Sequence, residues 1–330
     1  MQFTMKTGEL MKGVRLASGA AERKTTAPVL QNVLLSTSGK ESVEITATDL
    51  TLTTTARLVG TVGKSGSVVV NAKKLSEIVS SIASQFPDGD VSMERLDNEG
   101  ALIKSGKIEC KLVGVKADEF PRIPKPTGTR LFKVKRANLE KMISRTLFAV
   151  ANDEVRRNLS GVCIDTVEGD KVRMIATDGH RLSMVEAALG GDVDVNFGGV
   201  IVPKKGITEF RRILAEAGDE VEIGLLQNQI ILSTADVLTS TKLIEGRFPD
   251  YMQYIPKDND KTLIVDRNGF IGSLRRMKIL SGNNNVVRIK LKKGSLTVTS
   301  DDPLSGEGRE EMDADYAGPA LDVALNAGFL

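Results

Sequence analysis

A chain of 330 residues with 41% hydrophobic content is long enough for two or three folded domains and is ordinary for a globular protein. No apolar run is long enough to span a bilayer and "MQFTMKTGEL" carries no charged-then-apolar leader, so the expected place is the cytoplasm, away from membranes. One histidine and two distant cysteines, Cys110 and Cys163, leave no zinc-ligand spacing and call for no cofactor, and a net charge of +2 is by itself silent about nucleic acid.

The first element is a strand, "QFTM", followed by a helix predicted over 6–24. "VEITATDL" (43–50) alternates as a strand and closes on Asp49. Residues 73–86 return to helical spacing, with Leu75, Ile78, Val79, Ile82 and Phe86 on one face. "CKLVGVKADEFPRIP" (110–124) leads out through a Phe-Pro pair, and the text then starts again. "LFKV" opens a second unit with a helix over 136–157, and "VRMIATDGH" (172–180) echoes "VEITATDL". "GVIVPKKGITEFRRIL" (199–214) echoes "SVVVNAKKLSEIVSSI" (67–82), and "VEIGLLQNQIILS" reads as a hairpin turning near Gln227-Asn228-Gln229. "STKLIEGRFPDYMQYIP" (240–256) repeats the Phe-Pro exit. A third copy opens at "TLIV", with a helix over 267–281 and a hairpin turning at Lys293-Gly294. It repeats the aspartate motif as "LTVTSDDP" (296–303) and reaches "ALDVALNAGFL" (320–330), where a second helix should begin.

The aspartates at 49, 178 and 302 stand 129 and 124 residues apart, and the Phe-Pro pairs at 120 and 248 are 128 apart. A period this long is a repeated domain rather than a solenoid unit. The expected domains are 1–127, 128–257 and 258–330, the last holding slightly over half a unit and so incomplete. Helices alternating with hairpins give an α+β fold, with helices on one face of antiparallel sheets.

The predicted helices carry net charges of +3, +1, +2, +2 and +4, together +12, which leaves −10 for everything else. Such segregation suits a polyanion-binding face, although solvated helix faces also favour lysine and arginine. Lys73, Lys74, Lys204 and Lys205 sit at helix starts, where the macrodipole disfavours cations; a phosphate there would relieve the conflict. No tryptophan and three tyrosines argue against base stacking, so duplex backbone is the better polyanion. The one histidine, in "ATDGHRL" (176–182), raises an enzyme reading in which His180 and Asp178 act together. No Ser or Cys elbow, metal set or phosphate loop supplies the neighbours a catalytic base needs.

"APVLQNVLL", "ATDGHRLS", "VIVPKKG" and "KLIEGRFPDY" together closely resemble the bacterial DNA polymerase III beta subunits, the replicative sliding clamps, across essentially the whole chain. The resemblance implies three clamp domains per chain and a head-to-tail homodimer closing a ring around double-stranded DNA, with helices lining the hole and sheets outside. It implies partners, the replicative polymerase and the clamp loader, that dock through short linear peptides, and no catalysis. By position, Lys24, Lys73, Arg157, Lys204, Lys205 and Arg275 would face DNA; Leu159, Thr177, Gly179, His180, Arg181, Leu182 and Pro249 would form the peptide pocket. Cys110 and Leu112 would meet Ile279 and Leu280 of the partner at the dimer interface. Two departures stand out: Arg156-Arg157-Asn158-Leu159-Ser160-Gly161 replaces the family's Arg-Tyr-Tyr-Leu-Asn-Gly, and Met252-Gln253-Tyr254 follows "FPDY" in place of an arginine and an aliphatic. A duplex-binding protein that forms no ring would share the same basic face.

Overall fold

The structure, a computed structural model, describes all residues except 23–24, 124–128, 153–154, 168–170 and 191–195. It divides into two compact units, Met1–Pro249 and Asp250–Leu330.

Five α-helices occur among the described residues: α1 (Thr7–Ser18), α2 (Ala72–Gln85), α3 (Arg136–Thr146), α4 (Lys204–Leu214) and α5 (Arg267–Ile279). Each buries one stripe; Leu10, Val14 and Ala17 do so in α1, and Ile207, Phe210 and Ile213 in α4. Two helices are shorter than their periodicity suggests. The expected 6–24 helix stops at Ser18, where the α4 residue Arg212 takes the carbonyls of Arg15 and Leu16 and so caps the end from another part of the fold. The expected 136–157 helix stops at Thr146, whose hydroxyl turns back to the Met142 carbonyl, and single 3-10 turns follow at Leu147–Ala149 and Arg157–Leu159. Over the observed bounds the helices carry +1, +1, +2, +3 and +4, together +11 against +2 for the whole chain, so the segregation of charge survives the shortening.

In the first unit the strands form three antiparallel sheets. Gln2–Lys6 lies between Thr61–Lys64 and Asp90–Arg95 in a five-stranded sheet whose outer strand is Ile108–Leu112. A four-stranded sheet ends on Leu182–Ala188. The third sheet has nine strands because Leu52–Val59 of the first repeat pairs with Val237–Lys242 of the second, from Val237↔Ala56 to Thr241↔Leu52. One hydrophobic core, with Phe3, Leu10, Ile45, Leu75, Met142 and Phe210 fully buried, runs through both repeats.

The second unit has one described helix, α5, on a four-stranded antiparallel sheet, with Leu274, Met277, Val287, Leu296 and Val298 buried between them. Both predicted hairpins form: Lys292 pairs with Ser295 around Lys293-Gly294, and Leu226 with Gln229 around Gln227-Asn228. Gly294 has φ +78°, which a glycine tolerates without strain. Two expectations for this unit fail. "TLIV" is not a strand and makes one isolated bridge, Ile264↔Asp315; the opening strands of the other repeats pair with strands from the second half of the repeat. At the other end Leu321–Asn326 is a strand on Val286–Lys292, and residues 327–330 form no helix.

Candidate functional site

The repeated aspartate accepts the same pair of backbone N–H groups, two and three residues on, in all three repeats. Asp49 Oδ1 accepts the amide N–H groups of Thr51 and Leu52 at 2.8 and 2.6 Å. Asp178 Oδ1 accepts those of His180 and Arg181, both at 3.0 Å, and Asp302 Oδ1 those of Leu304 and Ser305 at 3.0 and 2.8 Å. Thr48 and Thr177 precede the first two and donate to the carbonyls of Leu52 and Arg181. Leu50 and Gly179 take φ +73° and +88°, while the third copy has Pro303 at that place and so a different turn backbone. Burial pushes the Asp178 carboxyl up, but the two N–H donors and the Arg181 guanidinium outweigh it and hold the group below its ordinary value. That carboxylate serves the turn, and the His180 side chain is exposed at its tip.

Around this turn the fold gathers most of the sequence-predicted pocket. Thr177 pairs with Leu182 at the start of the sheet's outer strand, and Gly179 lies under Arg156, whose Nη1 would stand 2.7 Å from any added Cβ. Arg181 donates through Nη2 to the Phe148 carbonyl at 2.7 Å and lies over the Phe148 ring. Asn158 Nδ2 donates to the Arg247 carbonyl at 3.3 Å, tying the turn that holds Leu159 to the segment reaching Pro249. Leu159 differs from the others: it is buried and can support the wall but offers no open face, whereas Leu182 and Pro249 are half-buried. Phe148, half-exposed beside Arg181, was missed because it falls off the apolar stripe of α3 and reads as an isolated surface aromatic.

The basic candidates divide by what holds them. Lys73 and Arg275 are exposed on α2 and α5, and Arg157 is exposed on its 3-10 turn. Lys204 Nζ reaches Asn152 Oδ1 at 2.6 Å. Lys24 lies outside the described residues. Lys205 meets Asp49 at 2.5 Å and Glu22 at 3.1 Å, so the anion expected near the α4 amino terminus is supplied by the chain itself. At α2 the conflict is met by Asn71, which caps the Lys74 N–H.

The Lys205 contact carries a pH signature. Burial raises the Asp49 carboxyl, but Lys205 and the donors of the turn bring it below its ordinary 3.8; burial lowers Lys205, but Asp49 and Glu22 bring it above 10.5. The aspartate's contribution to stability is complete above its ordinary value and is lost as acid carries pH through the lowered folded one; the lysine's is lost as pH rises through its raised value. Asp49→Asn is expected to cost about 1–3 kcal/mol at neutral pH. Urea midpoints of variant and wild type should converge as pH falls below 3.8 and through the lowered folded value, and a constant gap would show that the carboxylate charge is not what matters.

Of the interface candidates, Ile279 is 77% exposed and Leu280 half-buried. Cys110 is half-buried and lines a cleft of about 300 Å³ with Ile78, Ile82 and Ile108. Leu112 is buried in its own unit, because it shares the helix-facing side of its strand with Cys110 but sits deeper, opposite Ala101; it leaves a partner little to touch. Both cysteines are free; burial pushes the Cys163 thiol up to about 12, which suits packing and not nucleophilic chemistry. Among the described residues no group of His, Cys, Asp and Glu could hold a metal, and no helix is long and apolar enough to cross a membrane.

Three family descriptions match in succession: DNA polymerase III beta subunit N-terminal domain over residues 1–124, central domain over 133–250 and C-terminal domain over 252–330. The chain belongs to the DNA polymerase III beta subunit family. It is 34% identical to the beta sliding clamp of Pseudomonas aeruginosa, covering 100% of this chain and 89% of that one, and 29% identical to that of Escherichia coli K12, covering 100% and 88%. Its fold matches the crystal structure of the Pseudomonas aeruginosa beta subunit with a TM-score of 0.89 at 33% identity, covering 99% of this chain and 88% of that one. Against the Bartonella birtlesii sliding clamp the TM-score is 0.91 at 30% identity, covering 100% and 88%. The chain is therefore a DNA sliding clamp of three clamp domains, a non-catalytic processivity subunit of the polymerase III holoenzyme. His180 is part of a turn in a clamp and not an enzyme's base.

Proposed function

We propose that two copies of this chain, each divided near residues 127 and 257, close head to tail into a cytoplasmic ring around duplex DNA. In the ring the replicative polymerase and the clamp loader dock by short peptides at the His180 turn. The single observation carrying the ring reading is the joint between the first two repeats, because the chain holds the halves of a second such joint. Ile108–Leu112 is an outer strand and the counterpart of Val237–Lys242; Gly306–Asp313 is an outer strand and the counterpart of Leu52–Val59. Pairing these two edges between copies repeats the β joint and removes both open edges.

The same correspondence names side chains. Ile279 ends α5 as Gly19 follows the end of α1, and Ile78 lines the cleft on α2, so Ile279 of one copy meets the partner's Ile78 in the cleft beside Cys110. An exposed isoleucine seated in an apolar cleft is what a stable interface core requires. Asp302 stands where Asp49 does, and Lys73 and Lys74 stand at the start of α2 as Lys204 and Lys205 do at the start of α4, which offers Asp302 a lysine across the ring joint.

The +11 carried by the helices supports the DNA-facing assignment. Lys73, Arg157 and Arg275 are its phosphate contacts, with Lys204 beside them; Lys205 fastens the domain joint. Replacing Lys73, Arg157 and Arg275 with alanine should flatten the salt dependence of duplex binding by about 0.9 in log–log slope per phosphate lost. Lys205→Ala should lower stability and leave that slope alone. An unchanged slope in the triple variant would remove these residues from the DNA face.

A further inference from the structure

The joint between the first two repeats is fastened on two layers, that of the strands and that of the helices. On one, the strands Leu52–Val59 and Val237–Lys242 pair through five residues. On the other, Arg212 of α4 reaches across to the last carbonyls of α1, at Arg15 (2.6 Å) and Leu16, while holding both carboxylate oxygens of Glu209. Glu209 is 5% exposed and also takes the hydroxyl of Thr54, which in turn meets Thr239 across the strand joint at 2.9 Å. Gly19, at the end of α1, leaves no room for a Cβ against the side chains of this pair, which therefore pack directly on the α1 backbone.

A strand joint alone fixes position but not angle, since neighbouring strands tolerate twists from about −10 to −35°. A buried carboxylate–guanidinium pair is weak evidence for stability, because desolvation offsets much of the attraction, but its forked geometry is satisfied in one arrangement. The two exposed pairs at the same joint, Lys12–Asp236 and Arg15–Glu216, have no such constraint. We infer that Glu209 and Arg212 are positioning residues: they set the angle between the first two repeats and thereby bring the two ends of each protomer into register for ring closure. This rests on the ring reading above. The ring joint lacks the device, since α2, the counterpart of α4, carries no arginine; the internal joint must therefore hold the angle.

The test uses the full chain with fluorophores on non-natural amino acids at positions 64 and 133, one in each repeat, and reads the inter-repeat distance distribution beside retention on closed circular DNA. The variant E209M/R212M keeps the volume without charge and should unfold at the wild-type denaturant midpoint. It should nevertheless broaden the distance distribution and shorten retention about fivefold, the scale of coupling within one network. D236A/E216A, which breaks the exposed pairs, should change neither. A narrow distribution in E209M/R212M overturns the inference, and a broad one with full retention overturns its link to the ring. Should that variant fail to fold, R212K, which keeps the charge and loses the fork, must show the same two changes, and wild-type behaviour in it overturns the inference. Wild-type protein that leaves closed circles as fast as cut ones would fail the ring reading, and the distance measurement would still judge the joint.

Discussion

Replacing Ile279 and Leu280 together with alanine is expected to give a folded monomer in place of a ring. Ile279 is 77% exposed on its own unit, so removing its side chain should alter folding stability by no more than about 0.5 kcal/mol. In the proposed joint it fills the cleft of Ile78, Ile82, Ile108 and Cys110. Buried apolar anchors of this kind contribute at least about 2 kcal/mol each, so the pair should weaken each of the ring's two joints about a thousandfold. Sedimentation of the variant should show one protomer mass, with cooperative unfolding kept at a somewhat lower midpoint, since dimerisation no longer stabilises the fold and Leu280 is half-buried. An intact dimer would displace the interface from these residues, and an unfolded chain would mean that they belong to the core of their own unit.

Leu182→Ala is expected to have the second-largest effect, a loss of polymerase-peptide affinity of about thirtyfold with ring and fold intact, since binding energy concentrates in a few anchors. Leu182 is suited to the test because it is half-buried at the start of an outer strand, beside the His180 turn. Leu159 is not: it is buried, and its removal should cost about 2–5 kcal/mol of stability whatever it does for peptides. His180→Ala should weaken peptide binding partially and abolish no turnover. A fluorescence titration with a peptide from the replicative polymerase reads all three variants. Unchanged affinity in Leu182→Ala would move the pocket elsewhere.

The sequence was most legible where structure is local. The threefold aspartate turn, both hairpins and the starts of the helices follow from short-range hydrogen bonds and apolar spacing, and these recur with the text. What escaped was tertiary. Nothing in "KTGELMKGVRLAS" says that an arginine nearly 200 residues away will cap α1 early, so its helix was read too long. Lys205 reads as a phosphate ligand from its place at a helix start and in the resembling motif; the carboxylates that hold it come from residues 22 and 49. The nine-stranded sheet was unreadable for the same reason, since alternation shows which residues form a strand but not which edge it joins. Leu112 and Leu159 show a further limit: a position in a repeated motif tells where a residue lies, and burial decides what it can touch.

Encirclement of DNA is a matter of topology, and one measurement addresses it directly. The protein is loaded onto a closed circular duplex, and its retention is followed at a salt concentration that strips simple electrostatic binders, before and after the circle is cut once. A ring should remain on the closed circle and run off the linear product, with the loss following the cut and not the salt. Equal loss from closed and cut DNA would contradict encirclement and leave a duplex-binding protein that forms no ring.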